Sequence, residues 1–423
     1  MAVNGEQQTF RPANEENICF IPDDLKAIVV RILKGGDTAG GLAAAQELYA
    51  RVEQDDPYFV ASAVYEFLWK RVASESRRKL YSVVGDFFLT ALERQLGQLG
   101  PNNMSSRFRE IMECYSGAGD IQKMLEGPLY CVDLFLLKTT QLALGARNAA
   151  PGPDGNAKQR EMDSAGLEFL ADVKLTPEQQ IHHCLQLAKD ALIETHGELT
   201  RIVKQGHELR RTYIDFIRAS LDRLTQSWQQ WQELHDRKGV TELEPDEYFR
   251  QGIDRAEKLN SLVLAALLLE QAGEEYQDKM CREFLHHRFS NRPVEHPRRG
   301  CTFDAGEIYR DQGIVEREHG AYLLGERRFT HAIELFGHLH DRTSIAHTLI
   351  ERARLYMTRG TDAWKARADL HLAVQNIAAA QNKVPIGGPL PKITPLQVAQ
   401  FYRFKGLTEE ADAYSALEIQ LEL

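Results

Sequence analysis

No proline interrupts the chain from Gln179 through Glu244, and that tract keeps a helical beat. Leu185, Ala188, Leu192, Leu199, Ile202, Leu209, Tyr213, Phe216, Leu224, Trp228 and Trp231 follow one another mostly by three, four or seven residues, which lines them along one stripe of an α-helix. No turn-bounded alternation of apolar and polar residues occurs, so β structure is predicted to be minor or absent and the fold all-α. One straight helix over 178–237 would approach ~90 Å. The tract therefore predicts either a break at Gly197 or Gly206, or one arm of a long helical hairpin whose other arm is 246–287. Phe249, Ile253, Ala256, Leu259, Val263, Leu267, Tyr276, Met280 and Phe284 would supply the facing surface of that hairpin.

The chain has 423 residues, enough for two or three domains or one extended array. Its net charge of -10 disfavours non-specific attraction to a phosphate backbone. The six cysteines, at 19, 114, 131, 184, 281 and 301, form no Cys-x-x-Cys pair and read as reduced core thiols. The N-terminus is polar and lacks a basic-then-apolar leader pattern. The most apolar run, Leu262 to Leu269, is shorter than the ~18 residues a membrane helix needs. These readings predict a soluble cytoplasmic protein with no membrane association.

Five segments follow from the punctuation. Residues 1–20 read as a mobile arm. Residues 21–145 form an N-terminal helical domain: Asp23 and Asp24 start its first helix, Gly35-Gly36-Asp37 ends it, and 39–54 forms the next, closed by Asp55-Asp56-Pro57. Helices over 58–75, 77–98, 104–115 and 120–144 follow, and Tyr130–Leu137 is apolar almost all round and belongs in a core. Pro151, Pro153, Gly152 and Gly155 mark 146–165 as a linker or disordered loop. The long helical hairpin occupies 166–290 and further helices 291–423, with a Pro/Gly loop at 384–396.

The C-terminal segment carries a recurring spacing. Tyr402, Gly406 and Ala411 place an aromatic residue, a helix-ending glycine and a small residue in order. Tyr356, Gly360, Ala366 and Ala368 echo it, and Phe329, Ala332 and Phe336 supply the second helix of another unit. Paired helices need small residues where they cross closely and bulky ones where they leave gaps. These residues resemble the tetratricopeptide family, whose repeat is about 34 residues. The likeness covers 305–421. An early tryptophan has no counterpart, the spacing between units is irregular, and the repeat-closing proline is missing, with Pro395 placed to open a last helix pair over 395–421. The resemblance implies a short α-solenoid that binds peptides, helices or domains, and such arrays also serve as accessory subunits of bacterial regulatory or defence systems. Its motif positions pack helices and carry no catalytic role, so binding residues would lie between them.

The chain contains no P-loop, dinucleotide fingerprint, nucleophile elbow or His-Glu-x-x-His helix. His182-His183-Cys184 are adjacent and so point apart on a helix. His331, His338, His340, Asp341 and His347 form a better cluster, read as capping and surface histidines ahead of a metal site. His286 to Arg299 is locally basic, and Arg288, Arg292, Arg298 and Arg299 are its candidate partner-binding residues; a solvated loop is the plainer reading. Trp228 and Trp231 share a helix face and are assigned to core packed on 246–287.

The expectation is a non-enzymatic scaffold or regulatory adaptor in a stable complex with another protein, with no cofactor and no metal. The alternatives are a nucleic-acid-associated helical protein that uses the basic loop, and a helical enzyme with an unrecognised site.

Overall fold

In a computed structural model, the described residues are 21–35, 39–71, 75–148, 175–207, 209–236, 245–258, 262–275, 297–359 and 363–380. They form fourteen helices and no strand, so the fold is all-α over these residues. The helices are α1 (Asp23–Gly35), α2 (Ala39–Gln54), α3 (Pro57–Arg71), α4 (Glu75–Gln95), α5 (Pro101–Ala118), α6 (Ile121–Asn148), α7 (Pro177–Lys204), α8 (Arg211–Asp236), α9 (Pro245–Lys258), α10 (Leu262–Glu275), α11 (Pro297–His319), α12 (Tyr322–His338), α13 (Arg342–Arg359) and α14 (Ala363–Ala380). The chain divides into two units, Met1–Gln95 with Ser106–Asp120, and Leu96–Ser105 with Ile121–Leu423.

In the first unit, α1 and α2 pair through Arg51 Nη2 to Asp24 Oδ2 at 3.1 Å. The Asp56 side chain starts α3 by accepting from the Tyr58 N–H at 2.9 Å. Its core is aromatic: Tyr49 meets Phe87 edge-on, and Tyr65 meets Tyr81 and Phe88. Tyr115 of α5 lies in a notch that α4 opens at Gly85, and its hydroxyl donates to Asp86 Oδ1 at 3.1 Å.

The second unit is built around α6. Every residue from 123 to 136 is buried, as expected for a helix apolar almost all round. Helix α7 lies along it and contributes Ile181, Cys184, Leu185, Ala188, Leu192, Leu199 and Ile202. Its start is a reciprocal cap: the Gln179 N–H donates to Thr176 Oγ1 at 3.2 Å, and the Thr176 N–H donates to Gln179 Oε1 at 2.9 Å. Helices α6 and α7 on either side of the 146–165 segment pack directly, residues 149–165 of that segment lie outside the described residues, and the two units divide around residues 95–121.

The proline-free tract is broken at Gly206, and Gly197 lies inside α7. The long hairpin is thus formed within the tract, by α7 against α8, with Trp228 Nε1 donating to the Leu185 carbonyl at 2.8 Å. The 246–287 segment does not supply one long second arm: it is already divided into α9 and α10, and its residues 259–261 and 276–287 lie outside the described residues. Trp231 is buried beside Gly252 and Leu268, in the core reading assigned to it.

Helices α11 to α14 run up and down in chain order, each packed on the next. Phe336 and Phe329 of α12 lie over Gly306 and Gly313 of α11, seven residues apart on both helices and in opposite directions. Tyr356 and Arg352 of α13 meet Glu326 and Thr330 of α12, again in reversed order. Residues 1–20, the segment assigned to a Pro/Gly loop at 384–396 and the final segment 395–421 lie outside the described residues.

Candidate functional site: the charged seam of the C-terminal helices

The second unit buries charge at three levels of α12. At its start the N-cap residue, Ala321, has no side chain able to cap. Glu126 of α6 does this work from across the fold: its Oε2 accepts from the Leu323 and Leu324 N–H groups at 2.7 and 3.2 Å, and its Oε1 from the Tyr213 hydroxyl at 3.0 Å. Burial pushes the Glu126 carboxyl up to about 8, against the pull of the Leu324 N–H, Tyr213 and the Leu323 N–H.

One turn further, Arg328 points back to the core. Its Nη2 donates to Asp133 Oδ2 of α6, and its Nε to Glu316 Oε1 of α11 at 3.4 Å. The guanidinium also stands 5.3 Å from the centre of the Tyr130 ring. On the other side of α12, Glu326 accepts from the Tyr356 hydroxyl at 2.9 Å and from Lys365 Nζ at 3.1 Å. Burial would raise the Glu326 carboxyl, but Lys365, Arg359 and Arg327 outweigh it and hold it well below the usual carboxylate range.

Arg352 of α13 ties three helices. Its Nε and Nη2 grip Asp369 of α14 at 2.8 and 2.7 Å, and its Nη1 donates to Thr330 Oγ1 of α12 at 2.8 Å. Arg317 of α11 pairs with Glu351 of α13, which also takes Arg354 at 2.7 Å. His331 links α12 to α10 through Glu270 at 2.9 Å, with Tyr309 edge-on to its ring.

The first unit has a smaller polar cluster between α3 and α5. Arg107 lies over the Tyr58 ring, the Tyr58 hydroxyl donates to Glu110 Oε1 at 3.3 Å, and the Tyr65 hydroxyl donates to Glu113 Oε2 at 3.3 Å. Burial pushes Glu110 up to about 7 against the neighbouring Arg107.

Phe329, Ala332, Phe336 and Tyr356 are buried between α11, α12 and α13. Ala368 is a correction: it is exposed on α14, and the close approach to α13 is made by Ala366, Leu370 and Ala373, which share the opposite face. Gly360, Tyr402, Gly406 and Ala411 lie outside the described residues, as do Arg288 and Arg292. Arg298 and Arg299 stand in the first turn of α11. His182 is exposed while Cys184 is buried, so the two diverge as adjacent helical residues must. Among the described residues no three His, Cys, Asp or Glu side chains are grouped so as to hold a metal ion. No helix of the described residues is long and apolar enough to cross a membrane.

The charged seam is not legible in the sequence. Glu126, Asp133, Glu316 and Arg328 are single charged letters within helical patterns, and the contacts of Glu126 and Asp133 reach helix α12 nearly two hundred residues away in the chain. One signal is present: Glu126 and Asp133 stand in or beside the most apolar stretch of α6, where a charge needs a partner. Comparison with known proteins finds no matching family model, no matching curated protein and no matching solved structure.

Proposed function

We propose that this chain is a non-enzymatic scaffold or regulatory adaptor that works through protein–protein contacts on a tetratricopeptide-like surface formed by α11–α14. The observation that carries this reading is the Arg352 clamp. By gripping Asp369 and Thr330 at once, it fixes the relative positions of α12, α13 and α14. A surface locked in this way loses little conformational freedom when a partner docks. On α14 it presents Arg367, Ala368, His371 and Leu372 side by side, all exposed, with Leu372 44% accessible between charged and polar neighbours. An apolar side chain in a polar rim on a rigid backing is the usual anatomy of a contact surface.

The test is affinity purification of the tagged full-length chain from its native host, beside an R367E/L372E variant. The expected result is a stoichiometric protein partner with the native sequence and its loss with the variant. Recovery of the chain alone under gentle conditions would overturn the reading. A parallel variant neutralised at Arg288, Arg292, Arg298 and Arg299 separates the basic segment's contribution: salt-sensitive RNA or DNA binding abolished by it would favour the nucleic-acid alternative.

A further inference from the structure

Asp133 of α6 and Glu316 of α11 converge on one guanidinium, that of Arg328 on α12, and the three side chains are only 5%, 6% and 7% exposed. One oxygen of each acid faces the arginine. The other two, Asp133 Oδ1 and Glu316 Oε2, are buried with no hydrogen-bond partner. Two carboxylates against one guanidinium leave a negative charge unbalanced away from water. Protonating an ordinary carboxylic acid at neutral pH costs a factor of about 500 in population. Leaving a buried carboxylate charged and unpaired costs a comparable amount.

The neighbouring helices do not remove the excess. Arg223 of α8 also lowers Glu316, but by less than Arg328 does. Glu270 of α10 is engaged by His331, and Glu351 of α13 by Arg317 and Arg354. On α6, Glu126 is engaged by Tyr213 and the amides of Leu323 and Leu324.

We infer that the α6–α11–α12 junction is a proton-operated latch: Asp133 and Glu316 together hold one proton while the junction is closed, and losing it loosens α12 from α6. The two acids titrate as a pair, so the proton belongs to the junction and not to either residue. Burial lifts Glu316 to about 7 against Arg328, and lifts Asp133 in the same direction against the same arginine. Folded values above the unfolded ones mean that the stabilisation is complete below about pH 4.3 and is lost as pH rises through about 7. Asp133 and Glu126 lie two turns apart on α6, and both hold α12. The latch therefore sits on the attachment of the C-terminal helices to the central one.

The test is urea unfolding of the full-length chain from about pH 5.5 to about pH 8.5, for the native sequence, E316Q and D133N. The native midpoint is expected to fall as pH rises, and the amide variants to fall less. The difference can reach about a tenfold change in unfolding constant per pH unit, the signature of one proton. Native pH dependence kept in both variants would overturn the latch. Should neither variant fold, carbon-13 NMR of the native carboxyls decides it. A carboxyl in contact with Arg328 that titrates near neutrality supports the latch, and a pair that titrates wholly below about pH 5 excludes it.

Discussion

Phe329 fills the space where Gly313 lacks a side chain: a Cβ on Gly313 would lie 2.8 Å from the Phe329 ring. The same fit recurs two turns away, where a Cβ on Gly306 would lie 2.8 Å from Phe336. Helices α11 and α12 are therefore keyed in register by two rings set over two glycines. Gly325 tightens the crossing further, since a Cβ there would be 2.8 Å from Leu355 and 3.2 Å from the Gly313 carbonyl.

A glycine inside a helix normally costs about 0.5–1 kcal/mol relative to alanine, so Gly→Ala should stabilise wherever there is room. Gly197 of α7 has nothing within 4 Å of where a Cβ would stand. G197A is expected to stabilise by about 0.5–1 kcal/mol. G313A and G306A must push an aromatic ring out of a packed core and should destabilise by about 1–3 kcal/mol. Urea midpoints of the three variants check this; stabilisation by G313A would show that the α11–α12 register is not held by Phe329.

Glu126 replaces a missing helix cap. E126A would leave two backbone N–H groups without an acceptor, at about 1–3 kcal/mol each, and the Tyr213 hydroxyl with only the Gln122 carbonyl at 3.5 Å, so a loss of at least about 2 kcal/mol is expected. E126Q keeps an acceptor for the two amides and matches the neutral acid. With the folded value raised to about 8, the acid's stabilisation is present below the unfolded value and lost as pH rises through about 8. E126Q should therefore equal the native chain near pH 6 and exceed it at about pH 9. A variant weaker than the native chain throughout would mean that the three donors outweigh burial.

The Arg352 clamp separates charge from geometry. R352K keeps the cation but cannot reach both Asp369 oxygens and Thr330 together, and should cost about 1.5–3 kcal/mol. R352M leaves Asp369, whose side chain is 5% exposed, as an unpaired buried acid, and should cost about 3–5 kcal/mol. Equal losses in the two variants would assign the whole effect to the fork geometry and none to the charge.

How far the fold could be read in advance depended on range. Helix periodicity is local, so Ala39–Gln54 appears with both ends where the sequence places them, and the all-round apolar stretch of α6 is buried. The break in the proline-free tract had two glycine candidates, and the chain uses Gly206, at φ +69°, while Gly197 stays helical. Spacing alone could not choose between them, because the choice rests on where α8 finds a partner: Trp228 must return to Leu185. Ala368 misled for a similar reason. Its spacing from Tyr356 fits a crossing, but α14 is rotated so that Ala366 faces inward. The charged seam was the least legible region, since its pairs join different helices and those to α6 span nearly two hundred residues.

The last turn hides its own signal. Four helices end in the same way, with two backbone bonds closing the turn: Gly119 to Ser116 and Asp120 to Tyr115, Gly206 to Val203 and His207 to Ile202, Gly320 to Arg317 and Ala321 to Glu316, and His340 to Gly337 and Asp341 to Phe336. Three of them put glycine at the left-handed position, and the fourth puts His340 there at φ 55°. A side chain in that conformation costs roughly 1–2 kcal/mol, and the glycine that would announce the turn is missing. H340G is expected to raise stability by about 1 kcal/mol despite the added backbone freedom of the unfolded chain. G320A, at φ +85°, should do the reverse and lose about 1–2 kcal/mol. Thermal midpoints of the two variants should move in opposite directions; a loss in H340G would show that the imidazole contributes a contact worth more than the backbone strain it carries.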